Sequence, residues 1–334
     1  MKKKIAILGA GSWGTAIALL AARNGCQTML WSHNANHVST LSLDRENKRY
    51  LPENQFPSNL YITNDLKDIA AFSNMILVCV PSHAFKNTLL ALHTFIKPNE
   101  VIKIAWATKG FNPDDGCLLH EIVDNIFGKG TPAAILSGPT FANEVATKLP
   151  TAITIASSQL EFATYLSTLL HSEIFRTYTS CDVIGVEVGG AVKNVLAIAA
   201  GIADGLGFGA NTRAALITRG LNEIIKLGVK LGGKTETFMG LAGLGDLILT
   251  CTDNQSRNRR FGLALGLGKD ITIAKKEIGQ EIEGISAAKE TYLLAKKYKI
   301  DMPIAEQTYK VLYENMPPLT AVQNLLGREQ KAES

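Results

Sequence analysis

Three groups of residues in this chain have types and spacings that could do chemistry. Gly9-Ala10-Gly11-Ser12-Trp13-Gly14 follows a short apolar run and opens a helical pattern, which makes it a G-x-G-x-x-G turn. Gly9 allows the tight turn, Gly11 lets backbone approach a pyrophosphate, and Gly14 lets helix and strand pack closely. N–H groups at the helix start then face the phosphates, so the chemistry on offer is dinucleotide binding. Lys193-Asn194 lies in a mainly apolar helical stretch, where a lysine is costly unless it is paired or has a shifted pKa. Ser256-Arg257-Asn258-Arg259-Arg260-Phe261-Gly262 is a basic cluster, and arginine suits a bidentate grip on phosphate.

Each group also has a plainer reading. Lys193 and Asn194 are either a satisfied core pair or a catalytic pair, and the residues alone leave both open. The basic cluster could be a solvated helix face. Glycine adds an argument: Val188, Val192, Val195, Ala199 and Ile202 form one apolar stripe, and Glu187, Gly190, Asn194, Ala197 and Gly201 lie opposite. Each interior glycine costs a helix about 1 kcal/mol relative to alanine. Gly189-Gly190 and Gly201 therefore predict something packed close against that face. Downstream, Asp246 and Thr250 sit four apart on one helix face after a glycine-rich approach, though Asp246 could simply be an N-cap.

Further candidates follow strands. Lys109 comes directly after one and points toward a ligand crevice, unless it is a solvated lysine. Ser137-Gly138-Pro139-Thr140-Phe141-Ala142-Asn143-Glu144 reads as a strand end, a tight turn and a helix opening at Pro139 or Thr140. Free N–H groups there could bind an anion, or the segment is a capped helix start without a ligand. At the end of the second strand stands Trp31-Ser32-His33-Asn34, with no carboxylate to repel a 2′-phosphate. Ser32 and His33 could donate to that phosphate, with Arg49 in reach, or merely line a surface turn. NADPH is thus expected to be accepted at least as well as NADH.

The elements that must position these residues are strands alternating with helices. Lys4–Leu8, Gln27–Trp31, Met75–Val80, Val101–Ala107 and Ala133–Leu136 read as strands, and Thr15–Asn24 as a helix ended by Gly25. This predicts βαβ units and a parallel sheet, an N-terminal Rossmann-type doubly wound α/β domain over residues 1–185. Beyond about residue 180 an Ala/Gly-rich helical texture predicts an all-helical C-terminal domain over residues 186–334 that carries substrate binding and catalysis.

Composition bounds the rest. A chain of 334 residues, 46% apolar and 19% charged, is an ordinary globular one with room for two domains. A net charge of +4 falls far short of a nucleic-acid binder's basic stripe. Five scattered cysteines without a C-x-x-C pair argue against disulfides and a zinc site, and no metal is expected. The start, Met1-Lys2-Lys3-Lys4 and an apolar run, resembles a signal peptide, but Gly9, Gly11, Ser12, Gly14 and Thr15 interrupt it. No other stretch reads as a membrane span, so stable membrane insertion is not expected and the location expected is cytoplasmic.

Taken together, GAGSWGTA, LVCVPSHAF, TKGF, LSGPTFANEVA, KNVLAIAAGIADGLGFGANTRAALITRG, FMGLAGLGDLILTCT, SRNRRFG and EIEG occur in this order. From Lys4 to about residue 320 the sequence closely resembles the bacterial NAD(P)-dependent glycerol-3-phosphate dehydrogenases. The resemblance implies a cytoplasmic homodimer that interconverts dihydroxyacetone phosphate and sn-glycerol 3-phosphate with NADPH or NADH. It implies that Ser12, Trp13, His33, Lys109, Ala142 and Glu281 to Glu283 contact the cofactor, with Arg257 touching it too. Lys193 becomes the general acid/base lysine. Lys109, Gly138, Thr140, Asn194, Asp246, Ser256, Arg257 and Asn258 become substrate-binding positions, with Thr250 nearby. Many relatives carry arginine near Ser32, and this chain departs from them there. Two other readings share the Gly9–Gly14 turn: a dehydrogenase of a 3-hydroxy acid or an imine, which needs no Arg257-Asn258, and a non-catalytic nicotinamide sensor, which needs neither lysine.

Overall fold

The apolar run Lys4–Leu8 forms β1, and the glycine turn after it leads into α1 (Ser12–Arg23), where Gly25 at φ +86° stops the helix. The computed structural model describes residues 3–97 and 100–329; Met1 and Lys2 of the leader-like start and the last five residues of the expected 186–334 domain lie outside these. The chain continues through β2 (Gln27–Trp31), α2 (Ala35–Asp44), β3 (Glu46–Asn47), β4 (Leu51–Gln55), β5 (Leu60–Thr63) and α3 (Leu66–Phe72). Next come β6 (Met75–Val78), α4 (Ser82–His93), β7 (Lys103–Trp106), α5 (Leu119–Phe127), β8 (Ala133–Ser137) and α6 (Ala142–Ala146). β9 (Thr151–Ala156), α7 (Leu160–Leu170) and β10 (Phe175–Ser180) follow. From there the described chain is helical: α8 (Val183–Gly205), α9 (Ala210–Lys230), α10 (Thr235–Phe238), α11 (Asp246–Thr252), α12 (Arg257–Gly266), α13 (Ile271–Ile278), α14 (Glu283–Tyr298), α15 (Pro303–Tyr313) and α16 (Pro318–Leu326).

Hydrogen bonding orders one sheet as β10-β9-β8-β7-β6-β1-β2-β5. Setting aside the small β3–β4 hairpin, β5-β2-β1-β6-β7-β8 is the doubly wound order, reversing between β1 and β6. That reversal is where open α/β sheets bind ligands, beyond the carboxyl ends of the strands. Met75–Val78 is wholly buried, as a strand covered on both faces must be. Ile5, Ile7, Leu77, Ala105 and Leu136 share one core with the apolar side chains of α1 and α7, while Trp106 packs edge-on against Phe85 of α4 at 6.2 Å.

The expected elements differ in detail. α1 begins three residues early, at Ser12, and the β6 strand ends at Val78 rather than Val80. Helix formation after β8 is delayed to Ala142, so the expected opening at Pro139 or Thr140 is not made, and α6 has only five residues. With so little helix in the link, β9 returns antiparallel to β8, and the sheet is not purely parallel.

Two compact units divide the chain: Met1–Asn112 with Cys117–Glu187, and Pro113–Gly116 with Val188–Ser334. In the second unit α8 and α12 pack backbone to backbone through glycine. A Cβ added at Gly201 would lie 2.1 Å from the Arg259 carbonyl oxygen, and one at Gly262 would lie 2.1 Å from that of Ile198. Gly205 and Gly266 repeat the arrangement a turn later on each helix. Gly189 meets the Ala242 carbonyl in the same way, at 2.7 Å. The close packing inferred from the glycines is thus present. α8 is also the one described helix long and apolar enough to cross a membrane, which the sequence reading missed; 83% of its most apolar window is buried inside the molecule.

Candidate active site

In the first unit the glycine turn is built as its spacing requires. Gly9 has φ +113°, and a Cβ on it would press against the Cys79 backbone at 2.9 Å. A Cβ on Gly14 would lie 1.8 Å from the Gly9 carbonyl oxygen, so only glycine lets α1 start this close to the turn. At Gly11, by contrast, a Cβ would meet no atom within 4 Å, and the residue caps α1 without a side-chain hydrogen bond. An open cradle in front of an uncapped helix start fits a pyrophosphate. Ser12 Oγ donates to the Tyr50 carbonyl at 2.8 Å, and Trp13 packs against the core with its Nε1–H buried and without a hydrogen-bond partner. Asn47, unnoticed in the sequence, donates to the Ala10 carbonyl and to Thr15 Oγ1 and so anchors the turn from behind.

Beyond β2 the donors anticipated for a 2′-phosphate split. His33 is exposed, and Arg49 lies over the Tyr50 ring at 5.0 Å. Ser32 is buried, with its Oγ 3.4 Å from His37 Nδ1 and accepting the Asn34 N–H at 3.4 Å. Beyond β7 and β8 the structure gathers Lys109, Gly138 and Thr140 on one backbone oxygen. Lys109 Nζ donates to the Gly138 carbonyl at 3.3 Å, and Thr140 Oγ1 donates to it at 3.2 Å. Ala142 is the first residue of α6 and packs against the core.

A pair missed by sequence reading closes this unit. Glu187, on the face opposite the apolar stripe of α8, accepts the His120 N–H at 2.9 Å and meets His120 Nδ1 at 2.5 Å. Burial opposes charge on His120, but the Glu187 carboxylate outweighs it and the imidazole titrates above its ordinary value. No sequence signal joins two residues this far apart.

In the second unit Lys193 is 6% exposed and Asp246 1%, and their side chains form a buried ion pair. Lys193 Nζ also donates to Thr250 Oγ1 at 2.9 Å, and Thr250 in turn donates to the Asp246 carbonyl at 2.6 Å. The i, i+4 spacing of Asp246 and Thr250 aims both at one amine. Asp246 heads α11 after a π turn over Leu241–Gly245. Cys251, next in line, is pushed up to about 12 by burial, with Lys193 acting against that, and its thiol stays protonated.

Next to Lys193, Asn194 Oδ1 accepts the Asn258 amide at 2.9 Å, and Asn258 Oδ1 accepts the Gly284 N–H at 2.9 Å. Ser256 caps α12 by accepting the Arg259 N–H at 3.2 Å. Arg257, in the first turn, donates to Gln280 Oε1 at 3.4 Å. Burial draws its guanidinium below the usual value, and the carboxylates of Glu283 and Glu281 work against that. Of the cluster's arginines, Arg260 is exposed and Arg257 half-buried, but Arg259 is not solvated. Arg259 is buried, donates from Nε to the Cys251 carbonyl at 3.1 Å and pairs with Asp204 at 2.5 Å and with Asn254. Asp204 accepts Arg213 as well, at 3.0 Å. Among the described residues no three His, Cys, Asp or Glu side chains gather to hold a metal ion.

A doubly wound sheet with a glycine-cradled turn, together with a buried lysine locked to a carboxylate, defines a nicotinamide-nucleotide dehydrogenase. Comparison with known proteins gives the particular kind. The N-terminal and C-terminal sequence models of NAD-dependent glycerol-3-phosphate dehydrogenase match residues 4–163 and 182–323, and the chain belongs to that family. It is 55% identical over 330 residues to the glycerol-3-phosphate dehydrogenase [NAD(P)+] of Pseudoalteromonas translucida, covering 98% of both chains. The corresponding protein of Methylococcus capsulatus is 55% identical over 334 residues, covering 100% of this chain and 99% of its own. Glycerol-3-phosphate dehydrogenase from Coxiella burnetii, a crystal structure, superposes with a TM-score of 0.95 at 50% identity, covering 98% of this chain and 99% of its own.

Proposed function

We propose that this enzyme reversibly reduces dihydroxyacetone phosphate to sn-glycerol 3-phosphate with NADPH or NADH, at the head of glycerophospholipid synthesis. The observation that carries the mechanism is Lys193, buried and held by Asp246 and Thr250 beside the Asn194–Asn258 pair. The nicotinamide, when bound, supplies the hydride to C2 or takes it back. Gly9, Gly11, Gly14, Ser12, Trp13, His33 and Ala142 would hold the dinucleotide, with Arg257 and the Glu281–Glu283 segment.

Protonated Lys193 donates a proton from Nζ to the C2 oxygen as the ketone becomes an alkoxide, and recovers it from the medium. The Lys193 ammonium donates to Asp246 and Thr250, and these two contacts fix the direction of the amine. Asp246 also offsets the cost of keeping that charge out of water. Arg257 and Asn258 bind the phosphate, and its binding energy aligns the reacting carbon. Asn194 and Lys109 hold the substrate's oxygens, with Gly138, Thr140 and Ser256 lining the substrate. Further parts of the proposal are a cytoplasmic location, a homodimeric state, and residues 1–185 and 186–334 acting as nucleotide-binding and catalytic domains.

The test is dihydroxyacetone-phosphate-dependent oxidation of NADPH and NADH, followed by nicotinamide absorbance. Turnover by the parent chain and its loss in a folded Lys193→Ala variant are expected. Near-normal kcat in that variant would remove Lys193 from its role.

A further inference from the structure

The polar groups beyond β2 form a chain in which every hydrogen can be counted. Asn47 is fully buried, and its amide donates to the Ala10 carbonyl at 2.9 Å and to Thr15 Oγ1 at 2.7 Å. Those donors fix its Oδ1 as an acceptor, which takes the Tyr50 N–H at 3.3 Å. His37 Nε2 lies 3.3 Å from the same oxygen and therefore carries a hydrogen in either charge state. The proton that comes and goes is on Nδ1, 3.4 Å from Ser32 Oγ. When Nδ1 is bare, it accepts the Ser32 O–H. When it is protonated, it donates to Ser32 Oγ and the hydroxyl hydrogen turns elsewhere. It cannot turn to the Asn34 N–H, which is itself a donor to Ser32 Oγ.

Ser32 is the first residue after β2, where a dinucleotide site of this topology meets the adenosine ribose. We propose that His37 is a positioning residue for cofactor choice: its protonation turns the Ser32 hydroxyl from a donor held inside the protein into one offered to a 2′-phosphate, favouring NADPH over NADH. This rests on the nicotinamide-nucleotide reading of the Gly9–Gly14 turn. Groups from several elements face the imidazole. His33 lies on the β2–α2 turn, Asn47 on β3, and Arg49 with the edge-on Tyr50 ring (5.4 Å) after β3. The Glu46 carboxylate turns away to β4, where it accepts the Glu53 N–H and the Gln55 amide. Burial, then Arg49 and His33, act against the imidazolium and Asn47 acts for it, so His37 titrates below the ordinary histidine value. A 2′-phosphate acts for it as well, so NADPH, unlike NADH, takes up a proton at Nδ1 on binding.

The experiment measures Kd for NADPH and NADH, without substrate, from about pH 5.5 to 8.5 on the intact chain, His37→Gln and Ser32→Ala. The glutamine amide can still reach Asn47, and NADH serves as the internal control. Ionisation of the 2′-phosphate itself cancels when the NADPH preference of the parent is divided by that of a variant at the same pH. Against His37→Gln this quotient is expected to rise about tenfold from the alkaline to the acid end, the worth of one charge-assisted contact. Against Ser32→Ala it rises less, since the imidazolium charge remains. A flat quotient in either comparison overturns the proposal, and Ser32→Ala carries the test alone if His37→Gln does not fold. Failure of the parent chain to bind either nucleotide would instead overturn the reading of the turn.

Discussion

Lys193 shows how far a single residue type can be read. An amine in an apolar helix is legible as an anomaly, and so is the shared face of Asp246 and Thr250. That Asp246, 53 residues away, meets the amine is a tertiary fact with no local signal. The two readings left open, core pair and catalytic pair, turn out to be compatible: the lysine is buried, satisfied and next to the Asn194–Asn258 amides. Removing a general acid costs roughly 100- to 10,000-fold in rate. For the general-acid role proposed for Lys193, Lys193→Ala should lose at least about 100-fold in kcat while its cofactor Kd stays put, as single-turnover and binding measurements would show. The glycine turn allows a paired prediction. Gly11→Ala adds a methyl into open space and should keep its Tm while weakening nucleotide binding. Gly14→Ala drives a methyl into the Gly9 carbonyl and should lower Tm as well.

At the scale of elements, the central strands, α1 and the helical second half were legible because continuous apolar runs and glycine stops are local. The antiparallel return of β9 was not, because it is set by how little helix the link from β8 contains. Close packing on the glycine face of α8 was legible, but the partner, α12, was not. Gly201→Ala should reverse the usual helix preference: alanine normally gains a helix about 1 kcal/mol, but here its Cβ would fall 2.1 Å from the Arg259 carbonyl. Overpacking typically costs about 1–3 kcal/mol, so chemical denaturation should show net destabilisation. Arg259 ties the start of α12 to Asp204 on α8 and to the Cys251 carbonyl, and so aims its neighbours Arg257 and Asn258. With Arg257 and Asn258 binding the phosphate as proposed, Arg259→Met should raise KM for the phosphorylated substrate about tenfold or more with kcat within about threefold.

For the molecule as a whole, buried carboxylates set the response to pH. Glu223 accepts the Ile304 and Ala305 N–H groups at the start of α15, yet burial lifts it to about 7. Glu290 is lifted by burial to about 8, and its Oε2 has no hydrogen-bond partner. Both folded values exceed the ordinary 4.5, so the folded state holds these protons more tightly than the unfolded chain. The stability involved is fully present below about pH 4.5 and is lost as pH rises through 7 and 8. Tm measured across that window should fall, and Glu290→Gln should flatten the upper part of the decline. A Tm that climbs from neutral to alkaline pH in both proteins would contradict this.

The four residues Pro113–Gly116 belong with the helices of the second unit, where a Cβ added at Gly116 would lie 3.8 Å from the Leu294 side chain. On a ribosome they emerge long before the residues they will rest on. A nascent chain that has reached Glu187 holds every strand of the main sheet but must leave this short loop without its seat until α14 has been made. No single cut in the gene can therefore separate the two units, and a fragment stopped at Glu187 carries a piece of the other unit with it.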